Sequence, residues 1–249
     1  MLQVYGDGTI FGEPYGSEPV RVAWLHGWGR QGADFAVSAR QLAAEGVGSV
    51  TLDLPGFGAS APPLHAGGAR HYAALLLPVV QEISHSPLVI VGHSFGGRVA
   101  VSLAAQHPAL VRAVVLTGVP LLARQHRGAV ARAYRLVRAL HHLGVLSDGR
   151  LEAARQKYGS ADYRAASGVM RDVLIATVNE SYEKELAQWR GATTLVWGSK
   201  DTEVPVAVAS AALELLGEDS RLVELPGVGH LTPLEAPDAL ARAVRETLT

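Results

Sequence analysis

Cysteine is absent from the 249 residues, which excludes a disulfide scaffold, a thiolate nucleophile and a cysteine zinc site together. Charge of one sign is also lacking. The formal net charge is −1 and the pI about 6.8, so charge alone offers nothing to a nucleic-acid partner. No stretch approaches the ~18 uninterrupted apolar residues of a membrane span. The opening Met1-Leu-Gln-Val-Tyr-Gly-Asp-Gly has no basic region followed by an apolar run, so no secretory leader and a cytoplasmic location are expected. Walker motifs, metal-ligand spacings, paired-carboxylate sites, fixed-period repeats and low-complexity tracts are missing as well. What remains is 48% hydrophobic and 18% charged, ample material for the core of one α/β domain carrying an insertion.

One turn organises the rest. Gly92-His-Ser-Phe-Gly-Gly-Arg98 lies between Pro87-Leu-Val-Ile-Val91, short and β-branched, and Val99-Ala-Val-Ser-Leu-Ala-Ala105, which suits a helix. A strand entering a helix through Gly-x-Ser-x-Gly is a nucleophile elbow. The serine must take a strained backbone conformation, and glycines at 92 and 96 keep side chains clear of it. Ser94 would then project above the sheet, with the helix N-terminus facing any negative charge that develops there.

Before the elbow, residues 2–11 read as a hairpin around Asp7-Gly8. Strands are expected at Arg21–Leu25 and Ser49–Leu54, with a helix over 34–45 between them. Pro55-Gly-Phe-Gly-Ala-Ser60 reads as a loop, and a helix over 70–84 is expected to kink or break at Pro78. After the elbow, Ala113–Thr117 is a strand closed by Gly118-Val-Pro120. Residues 121–190 then show only helical stretches, near 123–142, 150–157 and 168–188. Alternation resumes with a strand at Thr193–Trp197, a helix over 205–216, a strand at Arg221–Leu225 and a closing helix from about Pro233. An αβ alternation interrupted once predicts a parallel sheet, its core formed by 1–120 and 191–249, with a helical insertion at 121–190.

A serine hydroxyl needs an imidazole base oriented by a carboxylate, supplied after the elbow in the order acid, then histidine. The strand at 193–197 runs into Gly198-Ser-Lys-Asp201, and Asp201 is the expected acid, with Glu203 its local rival. Among ten histidines only His230 follows Asp201, so the order selects it as the base. His26-Gly27-Trp28 suits the second half of an oxyanion hole, whose donors would be the Trp28 and Phe95 amides. His26 and His93 border this site as braces or as substrate contacts. One stretch competes: Gly27-Trp-Gly-Arg-Gln-Gly32 matches G-x-G-x-x-G, and Asp53 falls where a ribose-binding acid would. That dinucleotide reading leaves Ser94, Asp201 and His230 unexplained and puts Trp28 where a pyrophosphate would need close backbone.

Taken together, His26-Gly27, Asp53-Leu-Pro-Gly-Phe-Gly-Ala-Ser60, Gly92-His-Ser-Phe-Gly-Gly97, Trp197-Gly-Ser-Lys-Asp201 and Gly229-His230 resemble the α/β-hydrolase family. The resemblance implies an α/β-hydrolase fold: a mostly parallel eight-stranded sheet flanked by helices, a lid at the insertion and no cofactor. It also implies Ser94 as nucleophile, Asp201 and His230 as its partners, and the Trp28 and Phe95 amides as oxyanion hole. Serine at the elbow departs from the dehalogenase and epoxide-hydrolase branches, which carry aspartate there. His26-Gly-Trp-Gly29 with Asp53-Leu-Pro-Gly-Phe-Gly58 is similar to carboxylesterases that demethylate pimeloyl-carrier-protein esters, although their elbow has tryptophan where this chain has His93.

The expected activity is hydrolysis of a small-molecule carboxylic ester. Carbon–carbon bond hydrolysis or a lyase reaction on the same three residues, and a catalytically silent binding relative, are the alternatives. Residues 121–172 hold ten arginines and lysines against four acids. That run reads either as a solvated helix face or as an attractor of an anionic or carrier-linked ester, with Arg132, Arg135 and Arg138 the residues to reverse.

Overall fold

The computed structural model describes residues 1–123 and 161–248, together with 140, 141, 143–147, 149, 150 and 152. Arg132, Arg135 and Arg138 lie outside the described residues. The chain opens with strands β1 (Gln3–Tyr5) and β2 (Ile10–Tyr15), an antiparallel hairpin pairing Tyr5 with Ile10. Asp7 turns it with a φ of 55°, a left-handed backbone that aspartate tolerates better than most residues. Next come β3 (Val20–Leu25), a 3-10 turn at Gly32–Phe35, α1 (Ala36–Ala44) and β4 (Gly48–Leu52). They are followed by α2 (Ala69–Ile83), β5 (Leu88–His93), α3 (Phe95–Gln106) and β6 (Val111–Thr117).

After the insertion begins, the described helices are α4 (Ala161–Ala165), α5 (Gly168–Asn179) and α6 (Glu183–Gln188). The chain returns through β7 (Ala192–Gly198), α7 (Val206–Leu213), β8 (Arg221–Leu225), the single turn α8 (Thr232–Glu235) and α9 (Pro237–Leu248). The eight strands form one sheet in the order β1-β2-β4-β3-β5-β6-β7-β8. Pairing is antiparallel only at β1–β2 and β2–β4 and parallel from β4 onward.

Parallel strands covered on both faces must be apolar along their whole length, and every residue of β5 is buried. One face packs against α2 and α3 through Leu76, Val79, Val99 and Leu103; the other packs against α1 and α9 through Leu42, Leu240 and Val244. Each such fully buried side chain contributes about 1.5–3 kcal/mol. This packing decides two local outcomes. The helix α2 runs unbroken through Pro78, so of the kink or break expected at that proline the break does not occur. Pro78 and Ala74, four residues before it, both face solvent, so water can satisfy the carbonyl that the proline leaves without a donor, while seven buried residues hold the helix on either side. The closing helix is divided instead. Ala236, preceding Pro237, leaves helical geometry at φ −142° and ψ 53°, as the ring of a following proline requires.

The insertion leaves and rejoins the core at one point. The Tyr182 amide donates to the Leu121 carbonyl at 2.9 Å, and the Ala123 amide donates to the Glu183 carboxylate at 2.7 Å. Arg70 at the start of α2 fixes the returning stretch of chain. It pairs with Glu185 and with Glu180 and donates to the Ser181 carbonyl at 2.7 Å.

Candidate active site

Parallel strands all end at one edge of the sheet, so side chains in the loops after β3, β5, β6, β7 and β8 collect there. The loop after β5 is the tightest. Ser94 has φ 47° and ψ −108°, a conformation that costs on the order of 1–3 kcal/mol for a residue other than glycine. The surroundings enforce it. The Ser94 amide donates to the Thr117 carbonyl at 3.0 Å and the Gly96 amide to the His26 carbonyl at 3.0 Å. A Cβ on Gly96 would overlap the carbonyl oxygens of Leu25 and His26, so only glycine lets α3 start this close to β3.

The loops after β7 and β8 bring the expected acid and base together. His230 Nδ1 donates to Asp201 Oδ2 at 2.8 Å. The other Asp201 oxygen accepts the Glu203 and Val204 amides at 2.9 and 2.8 Å. Asp201 is therefore held as a carboxylate. Burial alone would push its pKa up, but the His230 hydrogen bond and the two amides outweigh that and bring it below the usual range. On His230 burial works against the charged ring, yet the hydrogen bond and charge of Asp201, joined by Glu203 and Glu235, raise its pKa above the ordinary value. With Nδ1 committed, Nε2 is the nitrogen left for proton transfer.

Gly118 links this pair to Ser94. It follows Thr117, which binds the Ser94 amide, and a Cβ at Gly118 would stand 2.9 Å from His230 Cε1 and 3.3 Å from Asp201 Oδ2. Among the described residues the Ser94 hydroxyl has no hydrogen-bond partner. Glu203 Oε2 stands 3.6 Å from His230 Nε2. The acid pairing with Nδ1 is thus Asp201, and its sequence rival Glu203 faces the opposite nitrogen.

Four contacts hold His230 that carry no local signal in the sequence. His93 Nε2 donates to the His230 carbonyl at 3.0 Å, and the two rings pack with centroids 4.9 Å apart. Burial, reinforced by the charge of His230, lowers the His93 pKa to about 3, so its ring stays neutral. The Glu235 carboxylate accepts the Gly229 amide at 2.7 Å and the Leu231 amide at 3.1 Å, one on each side of His230.

His26 is a brace. It is wholly buried, its Nδ1 donates to the Gly27 carbonyl at 2.7 Å, and its Nε2 accepts the Leu54 amide at 2.9 Å. No ring nitrogen remains for a substrate, which corrects the expectation of a substrate contact. Asp53 likewise spends its carboxylate inward, on the Gly32 amide at 2.7 Å and the Ala59 amide at 2.8 Å. It faces its own loops, so the dinucleotide reading of Gly27–Gly32 loses the acid it needs.

Beside Ser94 lies an aromatic cluster, with Phe95 and Tyr72 buried and Trp28 and Phe57 half-buried. Trp28 packs on Phe57 and Phe95 at 5.0 and 5.5 Å, and Phe95 packs on Tyr72 at 4.9 Å. Met170 of α5 reaches the Tyr72 hydroxyl with its sulfur at 3.8 Å. Among the described residues the Trp28 and Phe95 backbone amides have no acceptor.

The profile of the alpha/beta hydrolase family matches residues 22–243. The chain belongs to the alpha/beta hydrolase family. It is 29% identical over 96% of its length, and 98% of the relative's, to a pimeloyl-[acyl-carrier protein] methyl ester esterase of Chromobacterium violaceum. It is 24% identical over 86% of its length to the dihydrolipoyllysine-residue acetyltransferase component of the acetoin cleaving system of Pseudomonas putida, spanning 59% of that longer protein. A thermophilic esterase of Thermogutta terrifontis shares the fold, with a TM-score of 0.74 at 19% identity over 100% of this chain and 98% of that one. Among the described residues no helix is long and apolar enough to cross a membrane.

Proposed function

We propose that the chain is a serine hydrolase that cleaves a carboxylic ester through an acyl-enzyme. Ser94 attacks the carbonyl carbon as His230 Nε2 takes its proton. Asp201 keeps the imidazole in the tautomer with Nδ1–H and offsets the positive charge that forms on it. The oxyanion is held by the Trp28 and Phe95 amides. His230 then returns the proton to the leaving alkoxide, and water, activated by the same imidazole, releases the acid. The single observation carrying this reading is the strained Ser94 backbone, tied through Thr117 and Gly118 to the Asp201–His230 pair. A protein does not keep such strain at a partly exposed serine without something that depends on it.

The half-buried rings of Trp28 and Phe57, backed by buried Phe95 and Tyr72, support an apolar acyl group. Residues 121–190 serve in this reading as a helical lid over it. A fluorophosphonate probe together with a panel of p-nitrophenyl and methyl esters tests the proposal. Wild type is expected to be labelled and to turn over esters, and Ser94→Ala to do neither. A wild type that stays unlabelled overturns it in favour of a silent binding relative.

A narrower reading, a carrier-linked or otherwise anionic methyl ester, draws support from the basic balance of residues 121–172 and from the relative in Chromobacterium violaceum. Reversing charge at Arg132, Arg135 and Arg138 should lower kcat/KM for an anionic ester relative to a neutral one. An unchanged ratio removes this reading and leaves the broader one standing.

A further inference from the structure

The proposed mechanism requires the alcohol oxygen of the ester to come within hydrogen-bond reach, about 3 Å, of His230 Nε2, which protonates it. Glu203 Oε2 already stands 3.6 Å from that nitrogen, so it borders the path by which the alcohol leaves. The other carboxylates of this loop cluster are committed elsewhere. Asp201 is buried against His230 and two amides, and Glu235 is spent on the amides flanking His230. Glu203 is different: 70% of its side chain is exposed, and among the described residues it pairs with no arginine or lysine. Its backbone, by contrast, is fixed, because the Glu203 amide is bound to Asp201 Oδ1 at 2.9 Å. A carboxylate on a fixed stem, facing outward over the leaving-group nitrogen, is a charge filter.

We propose that Glu203 determines specificity on the alcohol side of the ester, favouring cationic over neutral and neutral over anionic alcohols. This rests on the assignment of Ser94 and His230 above, and it concerns the leaving group, whereas the basic balance of residues 121–172 concerns the acyl or carrier portion. A unit charge on the alcohol some 5–7 Å from the carboxylate, in a half-solvated site, is worth roughly three- to tenfold in rate at low salt. Because the side chain projects into solvent, replacing it removes the charge without opening the core.

The test uses three butyrate esters of similar size: of choline (cationic), of 3,3-dimethylbutanol (neutral) and of 2-hydroxyethanesulfonate (anionic). Acid release is followed for wild type, Glu203→Gln and Glu203→Lys at low and at high ionic strength. Wild type is expected to prefer the choline ester to the sulfonate ester by about tenfold or more, Glu203→Gln to shrink that ratio at least threefold and Glu203→Lys to invert it. Added salt should narrow the wild-type preference. A cation-to-anion ratio that stays within about twofold across the three proteins overturns the proposal while leaving the serine hydrolase reading intact, as does an enzyme labelled at Ser94 that turns over none of the three. A wild type that neither reacts with fluorophosphonate nor hydrolyses any ester removes both.

Discussion

The ring of His93 donates from Nε2 to the backbone carbonyl of His230 at 3.0 Å, so the residue directly before Ser94 anchors the loop that carries the imidazole. The elbow thus fixes both ends of the proposed proton path, one through the chain and the other through this bond. His93→Phe keeps a ring against His230 and removes the donor. One such hydrogen bond is worth on the order of 0.5–1.5 kcal/mol, and kcat is expected to fall about three- to tenfold with KM nearly unchanged. Steady-state kinetics and fluorophosphonate labelling check it together. A rise in KM at constant kcat would contradict a positioning role.

In the proposed mechanism the charge environment of His230 sets the acid limb of activity. Burial opposes protonation, but Asp201, Glu203 and Glu235 raise the pKa above the ordinary 6.5. The base must be neutral to accept the Ser94 proton, so kcat/KM should fall as pH drops through a value above 6.5. Glu203→Gln removes one raising charge and should move the limb to lower pH. Rate profiles from pH 5 to 9 on a neutral ester decide this, and a limb at or below 6.5 in wild type counts against it.

His93 links stability to pH, its pKa being shifted in the opposite direction to that of His230. Its folded pKa is lowered to about 3 from 6.5, so the fold favours the neutral ring. That contribution is fully present above pH 6.5 and is lost as pH falls toward about 3, at a slope approaching 1.4 kcal/mol per pH unit. Denaturant unfolding between pH 7 and 4 should therefore show a shallower loss in His93→Phe than in wild type. Parallel curves for the two proteins would refute the assignment.

Ser94 holds backbone strain that glycine would not feel. Ser94→Gly is expected to raise stability by about 1 kcal/mol, a gain of some 2–4 °C in Tm, while abolishing ester turnover. Thermal melts of Ser94→Gly and Ser94→Ala side by side separate relief of strain from loss of the hydroxyl. A glycine variant no more stable than the alanine one would show the elbow to be relaxed.

Gly118 is the spacer between the elbow and the base. Its φ of 59° and the 2.9 Å that would separate an added Cβ from His230 Cε1 leave no room for a methyl group. Gly118→Ala should displace the imidazole and cost activity of order 10²-fold. Far-ultraviolet circular dichroism is expected to remain that of the wild type, because the change lies at the rim and not within the sheet. Activity within threefold of wild type would mean that His230 moves freely.

The sheet was legible because its strands are buried runs separated by Gly and Pro, signals contained in a few neighbouring residues. The proposed set of Ser94, Asp201 and His230 is read from the sequence for a different reason: its chemistry demands them in that order, and only one histidine follows Asp201; of that set the structure shows the Asp201–His230 hydrogen bond. The supports of the site were not legible. His93 on the His230 carbonyl, Glu235 on two amides and Glu203 on Nε2 are contacts made in space between loops or around a turn, and no periodicity announces them. Pro78 leaves α2 unbroken because helix rules treat a proline alone, whereas here it sits on the exposed face while seven buried neighbours hold the helix. For His26 the sequence left a brace or a substrate contact, because its position beside the proposed oxyanion loop is the same whether the ring points outward or, as it does, into the protein.

The bond from Tyr182 to Leu121 gives the inserted segment a neck only two residues wide. Among the described residues the stretch between them still touches the core, through Met170 on Tyr72 and Thr177 on Arg98, while the closure entropy of such a loop rises only with the logarithm of its length. A change in the number of residues between Leu121 and Tyr182 therefore costs little in closure entropy, and the distances around Ser94 need not change with it.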